Sequence, residues 1–508
     1  MSGQAVNVGP FKGGLNTFSD PSAIQDDELV VCDNFEVDLD GSLKSRPPML
    51  PTTLSIPLQA TGQVNPLGQY TDASGNQHLI VTDGNSKTYD VSDAGGTKVI
   101  SSTTAFGAMC QYNGLAHLFP SPSQGGSGGT WNGTTFTAVS NMPKATTAVQ
   151  QKDRIWTAGD TANPTRVVYS NLITATTFWP ATQNFFEVGK GDGQKVMALY
   201  WYFGNLLIFR DKSVWNFSFS GDPAQGVLSV LLPTIGLQDE RCLAASESYL
   251  YFMYQNRLYE FLNNRAFQAN IQVPFTGNFS VDLNIPLSVS EFNKRIIVNF
   301  YGTVYVYGRN TKTWTTWSST LADMALFYPK YDVAYNPISA WVFGAQNGSS
   351  GSTPIYQMQD GFSITDAETF TCQMTTKNFS YSNSARFKRL FWWGVDCVFH
   401  GVMRTQVQQI TQSFATTWGR VGQETWGFFL GHTWGHLFDS APNVQDMVDT
   451  SGQAISRRLV KLQHPLRFRQ VAYHVECDTD GTTLTGPVRL FGLVSFVLEH
   501  EKVVDQIS

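Results

Sequence analysis

The middle of the sequence repeats one pattern, and this repeat constrains the fold more than any other feature. A short apolar run, a turn and a second run that carries an aromatic residue recur seven times between residues 79 and 356. The aromatic residues of the second runs are Tyr89, Trp131, Tyr169, Trp215, Tyr259, Tyr305 and Tyr356. They follow one another at intervals of 42, 38, 46, 44, 46 and 51 residues. A period of about 45 residues with paired strands in each copy is typical of the blades of a β-propeller.

The residues within each copy favour strands over helices. The second runs alternate and are rich in β-branched and aromatic residues. Asp-Gly-Asn at 83–85, Gln-Asn at 255–256 and Tyr-Gly at 301–302 lie between runs, where a tight turn needs left-handed backbone angles. No helical stripe appears across 60–360. The sequence therefore predicts an all-β protein with a propeller of six to eight blades over residues 51–368; the alternative is an irregular β-sandwich whose spacing is accidental.

Two flanks lie outside the repeat. In the first flank, residues 1–50, the stretch 20–34 has an acidic first turn before an apolar run and predicts one short helix. The alternating residues that follow, with Asp-Gly at 40–41 between them, predict a hairpin. The second flank, residues 369–508, carries new β-patterned runs around a stretch rich in Trp and Gly at 418–438. It predicts a separate C-terminal β-sandwich.

Composition excludes several functional classes. The 508 residues include 34 Lys and Arg against 40 Asp and Glu, and only 15% of the residues are charged. A nucleic-acid-binding protein needs a concentrated basic face, so we expect no nucleic-acid sequence recognition. The sequence has no long apolar run and no basic-then-apolar leader, so we expect neither membrane insertion nor secretion. The six cysteines are scattered without a CxxC pair, as expected of free thiols in a reducing cytoplasm.

The N-terminal block resembles the opening of a known group of proteins. It reads Gly-Gly-Leu-Asn-Thr at 13–17, Asp-Pro-Ser-Ala-Ile at 20–24, Asp-Asn-Phe-Glu-Val at 33–37, Gly-Ser-Leu at 41–43 and Arg-Pro-Pro at 46–48. In order and spacing it resembles the opening of propeller-bearing tail proteins of double-stranded DNA bacteriophages, of the minor tail and tail-nozzle type. The closing segment, with Arg-Phe-Arg-Gln at 467–470 and Gly-Pro-Val-Arg-Leu-Phe-Gly-Leu at 486–493, resembles their C-terminal strands. The compact chain is more similar to a minor tail protein of a long-tailed phage.

The resemblance implies a non-enzymatic structural protein of the virion, made in the cytoplasm of the host bacterium and carried in the phage tail. Its expected partners are copies of itself, in a ring or short fibre with three- or six-fold symmetry, and other tail proteins. A low charge content agrees, because it leaves apolar and aromatic surface for permanent subunit contacts. The candidate N-terminal assembly segment comprises Leu15, Asn16, Asp20, Pro21 and Arg46.

A cluster of aromatic residues in the C-terminal flank has three interpretations. It could stack on a host surface glycan, pack between subunits, or form the core of the predicted sandwich. Its candidate contact residues are Trp418, Trp426, Trp434 and Phe438. A glycan-binding module for host recognition is therefore the alternative function.

A propeller glycosidase is a third and weaker hypothesis. Such an enzyme needs only two carboxylates at the right separation. Glu247, Asp211 and Asp332 could supply them, although any chain of this length offers such a pool.

No motif predicts a catalytic, cofactor or metal site. His432 and His436 have the spacing of zinc ligands on a helix, but the glycines beside them argue against a helix. The glycine-rich stretch 189–193 lacks the Lys-Ser/Thr ending of a phosphate-binding loop. The G-x-S-x-G match at 125–129 follows no strand and opens no helix, as a nucleophile elbow would. We therefore expect no catalytic residues, no cofactor and no metal.

Overall fold

The structure, a computed structural model, is built almost entirely from β-strands. It describes residues 4–57, 65–82, 87–92, 96–123, 125–172, 177–275, 287–318, 324–331, 337–344, 352–359, 368, 370–381, 388–398, 402–410, 456–468, 470–478 and 488–499. Within these ranges one short 3-10 helix, Pro223–Gln225, interrupts the strands. None of the helices in these ranges is long and apolar enough to cross a membrane.

The strands are numbered β1 to β39 in chain order. The first flank holds β1 (Gln4–Val8), β2 (Gly14–Leu15), β3 (Glu28–Asp33), β4 (Phe35–Val37), β5 (Leu43–Ser45) and β6 (Met49–Pro57). The first sheet of the repeat region is β7 (Asn65–Thr71), β8 (Gln77–Thr82), β9 (Thr88–Ser92) and β10 (Gly96–Ser101), and the second is β11 (Phe106–Tyr112), β12 (Leu115–Pro120), β13 (Gly129–Trp131) and β14 (Phe136–Ala138). The third is β15 (Thr147–Gln151), β16 (Arg154–Ala158), β17 (Arg166–Tyr169) and β18 (Asn184–Glu187), and the fourth is β19 (Val196–Tyr202), β20 (Asn205–Arg210), β21 (Val214–Ser218) and β22 (Val227–Leu232).

The fifth sheet is β23 (Leu243–Ser246), β24 (Tyr249–Tyr254), β25 (Arg257–Leu262) and β26 (Arg265–Gln268), and the sixth begins with β27 (Ser288–Phe292), β28 (Arg295–Phe300), β29 (Thr303–Gly308) and β30 (Thr313–Trp317). The seventh contains β31 (Met324–Tyr331), β32 (Pro337–Gly344) and β33 (Ser352–Gln359). The second flank holds β34 (Thr371–Thr376), β35 (Lys388–Val398), β36 (Val402–Ile410), β37 (Ser456–Phe468), β38 (Gln470–Asp478) and β39 (Arg489–Glu499).

Each copy of the sequence repeat forms one antiparallel four-stranded unit. The seven aromatic residues that define the period lie in the third strands, namely β9, β13, β17, β21, β25, β29 and β33. Among the described residues, the first strands of neighbouring sheets lie side by side, as β7 with β11, β11 with β15, β15 with β19, β23 with β27, and β27 with β31. Residues of β7, β11, β15, β23 and β27 also line one common cavity. Sheets arranged around a centre in this way have the layout of a β-propeller.

The seventh sheet takes its outer strand from the other end of the chain. The strand order is β31-β32-β33-β6, with β6 antiparallel to β33. Ile56 of β6 is fully buried in one core with Leu79 and Tyr89 of the first sheet and with Trp341 and Ile355 of the seventh. Because β6 joins the last sheet of the repeat to the first, it closes the set of sheets.

Tight turns between the strands follow the sequence prediction. Gln255 and Asn256 have φ of 49° and 58°, and Tyr301 and Gly302 have φ of 49° and 95°. These left-handed pairs join adjacent strands in two-residue hairpins, whose twist matches that of the strands. The third predicted turn, 83–85, lies outside the described residues.

The short helix predicted in the first flank is wrong. Residues 20–23 form only a turn, and Glu28–Asp33 is the strand β3. The run Leu-Val-Val-Cys is β-branched at its centre, and it pairs with β34 while Leu29 and Cys32 enter the core. The predicted hairpin is confirmed as β4 and β5, with Gly41 at φ 84° in its turn.

The two flanks share their sheets. Strand β39 pairs with both β1 and β5, which gives the order β37-β35-β39-β5-β4. Strand β3 lies between β30 of the sixth sheet and β34, followed by β38 and β36. The two sheets touch through Trp393 and Tyr473, whose ring centroids are 5.5 Å apart. The sequence predicted two separate flanks, whereas these strands interleave.

We predict that Ile56→Ala lowers the free energy of unfolding by about 2–5 kcal/mol, the usual cost of truncating a large buried aliphatic side chain. The loss should be measured by urea denaturation followed by Trp fluorescence. Leu39→Ala is the control, because Leu39 is 70% exposed in the β4–β5 turn and should change stability by less than about 0.5 kcal/mol. Equal effects of the two variants would show that β6 does not hold the sheets together.

Candidate functional site

The residues of the predicted assembly segment have different environments. Leu15 and Arg46 are buried within the chain, and Leu15 belongs to the main hydrophobic core. The side chain of Asn16 accepts a hydrogen bond from the backbone N–H of Phe18 at 3.1 Å. Asp20 is exposed and its carboxylate caps the turn that follows. The assembly interpretation therefore depends on Asp20 and the half-buried Pro21, since Leu15 and Arg46 have partners inside their own chain.

Arg46 is the buried centre of a polar network, which we call the clasp and which comprises Asp33, Asn34, Arg46, Ser318 and Glu368. The network extends from the buried Arg46, Asn34 and Glu368 through the half-buried Asp33 to Ser318 at the surface. The Arg46 guanidinium donates to Asn34 Oδ1 at 2.8 Å, to the Ser318 carbonyl at 2.7 Å and to Glu368 Oε1 at 2.9 Å. Both side chains of the Arg46–Glu368 pair are fully buried. A buried ion pair is tolerated only when its other hydrogen-bonding groups are satisfied, as these are.

Asn34 extends the clasp to the second flank. It has a left-handed backbone at φ 57°, and its amide donates to Ser318 Oγ and to the Thr371 carbonyl, both at 2.8 Å. Asp33 accepts from Ser318 Oγ at 2.7 Å, and burial raises the pKa of the Asp33 carboxyl. The clasp thus joins β3 and β5 of the first flank, the end of the sixth sheet and the chain that enters β34.

The common cavity has a volume of about 390 Å³ and a polar lining. Glu240 lines it at an exposed position, and desolvation by the surrounding protein raises the pKa of its carboxyl. Desolvation also raises the pKa of Glu291, which accepts from the Lys294 N–H at 2.9 Å. Arg241 is already paired with Asp239 at 2.9 Å. Across the described residues, no three His, Cys, Asp or Glu side chains are placed to hold a metal ion.

The carboxylates considered for a glycosidase are not brought together. Glu247 follows β23, the first strand of the fifth sheet, and pairs with Arg309 at 2.7 Å. Asp211 follows β20, the second strand of the fourth sheet, and accepts from the Lys195 N–H. Glu247 lies in the turn between the first and second strands of its sheet, and Asp211 lies in the turn between the second and third strands of its sheet. These two kinds of turn lie at opposite ends of a blade, so the two carboxylates cannot flank one glycosidic bond. Asp332 lies outside the described residues.

A buried histidine links the first two sheets. His78 Nδ1 contacts Asp90 at 2.9 Å and its Nε2 contacts Asp72 at 3.3 Å, while Trp131 of the second sheet donates to Asp90 at 2.7 Å. Burial by itself would lower the pKa of His78, but the two carboxylates outweigh it and raise that pKa. The sequence analysis did not identify this network. The signal for it was that His78 and Asp90, two ionisable residues, lie within apolar strand runs.

A second buried histidine has the opposite environment. His117 is 7% exposed, and its ring contacts Tyr112 and Phe178 with centroids 6.0 and 5.9 Å away. Burial in these apolar surroundings lowers the pKa of His117 to about 4. The imidazole is therefore neutral at pH 7 and serves the packing between the second and third sheets.

Exposed apolar side chains concentrate on the outer rim of the fourth and fifth sheets. Ten large hydrophobic residues are exposed in the described parts of the chain, and five of them belong to this rim. They are Phe18, Val227, Val230, Phe267 and Ile271. The backbone of Phe18 bonds to the Gln272 carbonyl at 3.2 Å, which places it beside Ile271, and β22 touches β26. We call these five residues the rim patch, although Val227 and Val230 lie on opposite faces of β22, so the patch spans both sides of this edge. Exposed apolar groups of this kind mark interaction surfaces.

The aromatic cluster of the second flank lies outside the described residues. This applies to Trp418, Trp426, Trp434 and Phe438, and equally to the His432 and His436 pair.

Comparison with known proteins gives a likeness of fold only. No protein-family model and no curated protein matches the chain. Among solved structures, the extracellular domain of BT4673 from B. thetaiotaomicron is 10% identical with a TM-score of 0.44, over 68% of this chain and 42% of that one. The WD40 domain of Neurospora crassa Pan2 is 9% identical with a TM-score of 0.38, over 60% and 98%. This chain thus matches less than half the length of the first, and the propeller layout rests on the strand pairing alone.

We predict that Arg46→Met lowers the free energy of unfolding by about 3–5 kcal/mol, because it leaves the buried carboxylate of Glu368 without its partner. Adding Glu368→Met should recover part of the loss, since the uncompensated charge is then gone. The matched control is Arg166→Met, which breaks the partly exposed pair with Glu187 and should cost no more than about 1 kcal/mol. Urea unfolding of the four proteins would contradict a structural clasp if Arg46→Met and Arg166→Met behaved alike.

We predict that His117 makes the protein less stable as the pH falls from 6.5 towards 4. Over this range the unfolded chain binds a proton at His117 that the folded chain, with a pKa of about 4, does not. At pH 4.5 the loss relative to pH 7.5 should be about 2–3 kcal/mol from this residue. His117→Phe should remove that share of the pH dependence in urea unfolding curves, and an unchanged pH dependence would contradict the assignment.

Proposed function

We propose that this chain is a structural protein of a bacteriophage tail, a minor tail or tail-adaptor component, which assembles as a symmetric oligomer and has no enzymatic activity. The observation that carries the proposal is that the motif which resembles tail proteins coincides with the clasp. Asp33, Asn34 and Arg46 all belong to that motif, and all lie in one hydrogen-bonded network around the buried Arg46. The motif is thus explained by architecture and requires no catalytic role.

Further residues of the same motif support a structural interpretation. Gly14 has φ 65°, and a Cβ at this position would lie 2.7 Å from Thr313 of β30. Gly41 has φ 84°, and its Cβ would lie 2.6 Å from Pro10. Both glycines allow the first flank to approach its neighbours closely, which a side chain would prevent.

The proposal extends to a finer architecture. The seven four-stranded units are taken as seven blades, closed by β6, and the interleaved sheets of the two flanks as a two-layer sandwich attached to the sixth blade. Such a body is stiff, because both flanks are tied to the ring and to each other. Its role in a tail would be mechanical, with the ring as a rigid block and its outer surfaces in contact with neighbouring copies and other tail proteins.

The rim patch supports assembly over host-glycan recognition. Permanent subunit contacts favour aromatic and apolar residues, and Phe18 and Phe267 are 68% and 59% exposed. The aromatic residues on which glycan recognition was based lie outside the described residues.

The proposal is tested on phage particles. We expect the protein in purified virions by mass spectrometry, and antibody labelling in electron micrographs should place it on the tail. Particles carrying Arg46→Met should lack the protein or be defective in their tails, whereas Leu39→Ala particles should be normal. Purified virions without the protein, or with the label on the capsid, would contradict the proposal.

A further inference from the structure

The outer strands of the sheets differ in how their free edges are protected. An unpaired strand edge attracts another strand, and proteins guard such edges with charges, prolines, short length or a covering segment. Here β10 carries Lys98, β18 carries Glu187 and β26 carries Arg265. Strand β14 has only three residues, β6 contains Pro51, and β30 is covered by β3.

Strand β22 lacks these protections. Its sequence is Val-Leu-Ser-Val-Leu-Leu, with no charge and no proline over six residues. Among the described strands it pairs only with β21, and Val227, Ser229 and Val230 are exposed. One irregularity is present, since Leu231 has no partner in β21, but Val227–Val230 are in regular register. Within the part of the chain that the structure describes, this segment is an open, uncharged and apolar strand edge.

The chain already covers one such edge by adding a strand. Strand β30, Thr-Trp-Thr-Thr-Trp, is also uncharged, and β3 of the first flank lies against it. The contact is reinforced by Thr316 Oγ1, which donates to Asp33 Oδ1 at 3.0 Å. An outer strand of this composition is thus completed by another strand inside the molecule, and β22 is the described outer strand of similar composition that is not.

We infer that β22 pairs antiparallel with β22 of a second copy of this chain, across a two-fold axis. This inference deepens the proposed function, on which it rests, because it names the surface through which two copies meet. Strand β22 fits itself because self-pairing places only Val, Leu and Ser opposite one another and brings no charge into the contact. The flanking rim-patch residues Phe267, Ile271 and Phe18 widen the contact beyond the strand itself.

The two-fold axis restricts the register of the pair. Such an axis perpendicular to the sheet keeps each face of the strand on the same side, so only residues of the same face can be opposite one another. Ser229 therefore lies opposite a residue of its own face in the second copy, and in the register centred on Ser229 the two Ser229 residues are directly opposite one another. Directly opposite Cβ atoms in antiparallel strands are about 4.5–5.5 Å apart, close to the separation that a disulfide spans. Six copies arranged as three pairs accommodate this contact, whereas a simple three-fold or six-fold ring of single copies does not, because its neighbours meet through two different surfaces.

The chain is well suited to cysteine cross-linking. Its six native cysteines are buried and form no disulfide, so an introduced surface cysteine would be the reactive one. Ser229→Cys under mild oxidation should convert most of the protein to a covalent dimer on a non-reducing gel. Thr137→Cys, an exposed position on the outer strand β14, is the matched control and should stay monomeric.

A charge on the edge should separate the copies. Val230→Lys is expected to halve the mass of the assembly measured by light scattering, without loss of folded structure in circular dichroism. Val99→Lys places the same charge on the outer strand β10, at a residue that is 55% exposed, and should leave the mass unchanged.

The outcomes separate this inference from the proposed function. An assembly that keeps its mass with Val230→Lys and does not cross-link through Ser229→Cys would overturn the β22 pairing, and the protein could still be found in phage tails. A wild-type protein that remains monomeric at all concentrations would also overturn it. Cross-linking through Ser229→Cys in a protein absent from virions would support the pairing and contradict the tail function.

Discussion

A ring of β-sheets needs a join between its last sheet and its first. Without that join, the two sheets that border the gap would each leave one face unburied. In this protein the join is made by β6, which comes from the N-terminal flank and completes the sheet formed by β31–β33. Ile56 places an aliphatic side chain in the core between the seventh and first sheets. The hydrophobic burial of the whole ring therefore depends on a strand that is far away in sequence. Folding of the repeat region and anchoring of the N-terminal flank are consequently coupled.

The clasp extends the same coupling to the second flank. Arg46 lies just before β6 and is paired with Glu368, which lies just before β34. The cost of burying these charges is offset by hydrogen bonds to Asn34 and to the Ser318 carbonyl. Because any one of these groups would be left unsatisfied without the others, the network specifies a single arrangement of the first flank, the sixth sheet and the second flank. It is a structural centre, and its chemistry gives no reason to assign catalysis to it.

The outer strands of the sheets differ in whether their free edges are protected against pairing with another strand. Charges, prolines, short strands or covering segments protect most of the outer strands, whereas β22 and the rim patch keep exposed apolar groups. The contrast lies within one molecule, so it does not depend on any likeness to other proteins. It is the feature that connects a stiff, closed body to a role in assembly.

The sequence alone predicted the features that depend on residues close together in the chain, and it failed for those that depend on residues far apart. The period of the aromatic residues predicted the positions of the four-stranded units and six to eight blades, and the dipeptides at 255–256 and 301–302 predicted two of their turns, because a strand pair and its hairpin are local features. The helix predicted over 20–34 failed because the run beginning at Leu29 follows its pairing with β34, some 340 residues away, and not its local charge pattern. Arg46 was selected as an assembly residue, but only the tertiary structure shows that its partners include Ser318 and Glu368, from two distant segments of its own chain. The sequence by itself determined the repeating unit, whereas the tertiary structure decided which strand closes the ring, how the flanks interleave and which edge stays open, since these depend on contacts between residues far apart in the chain.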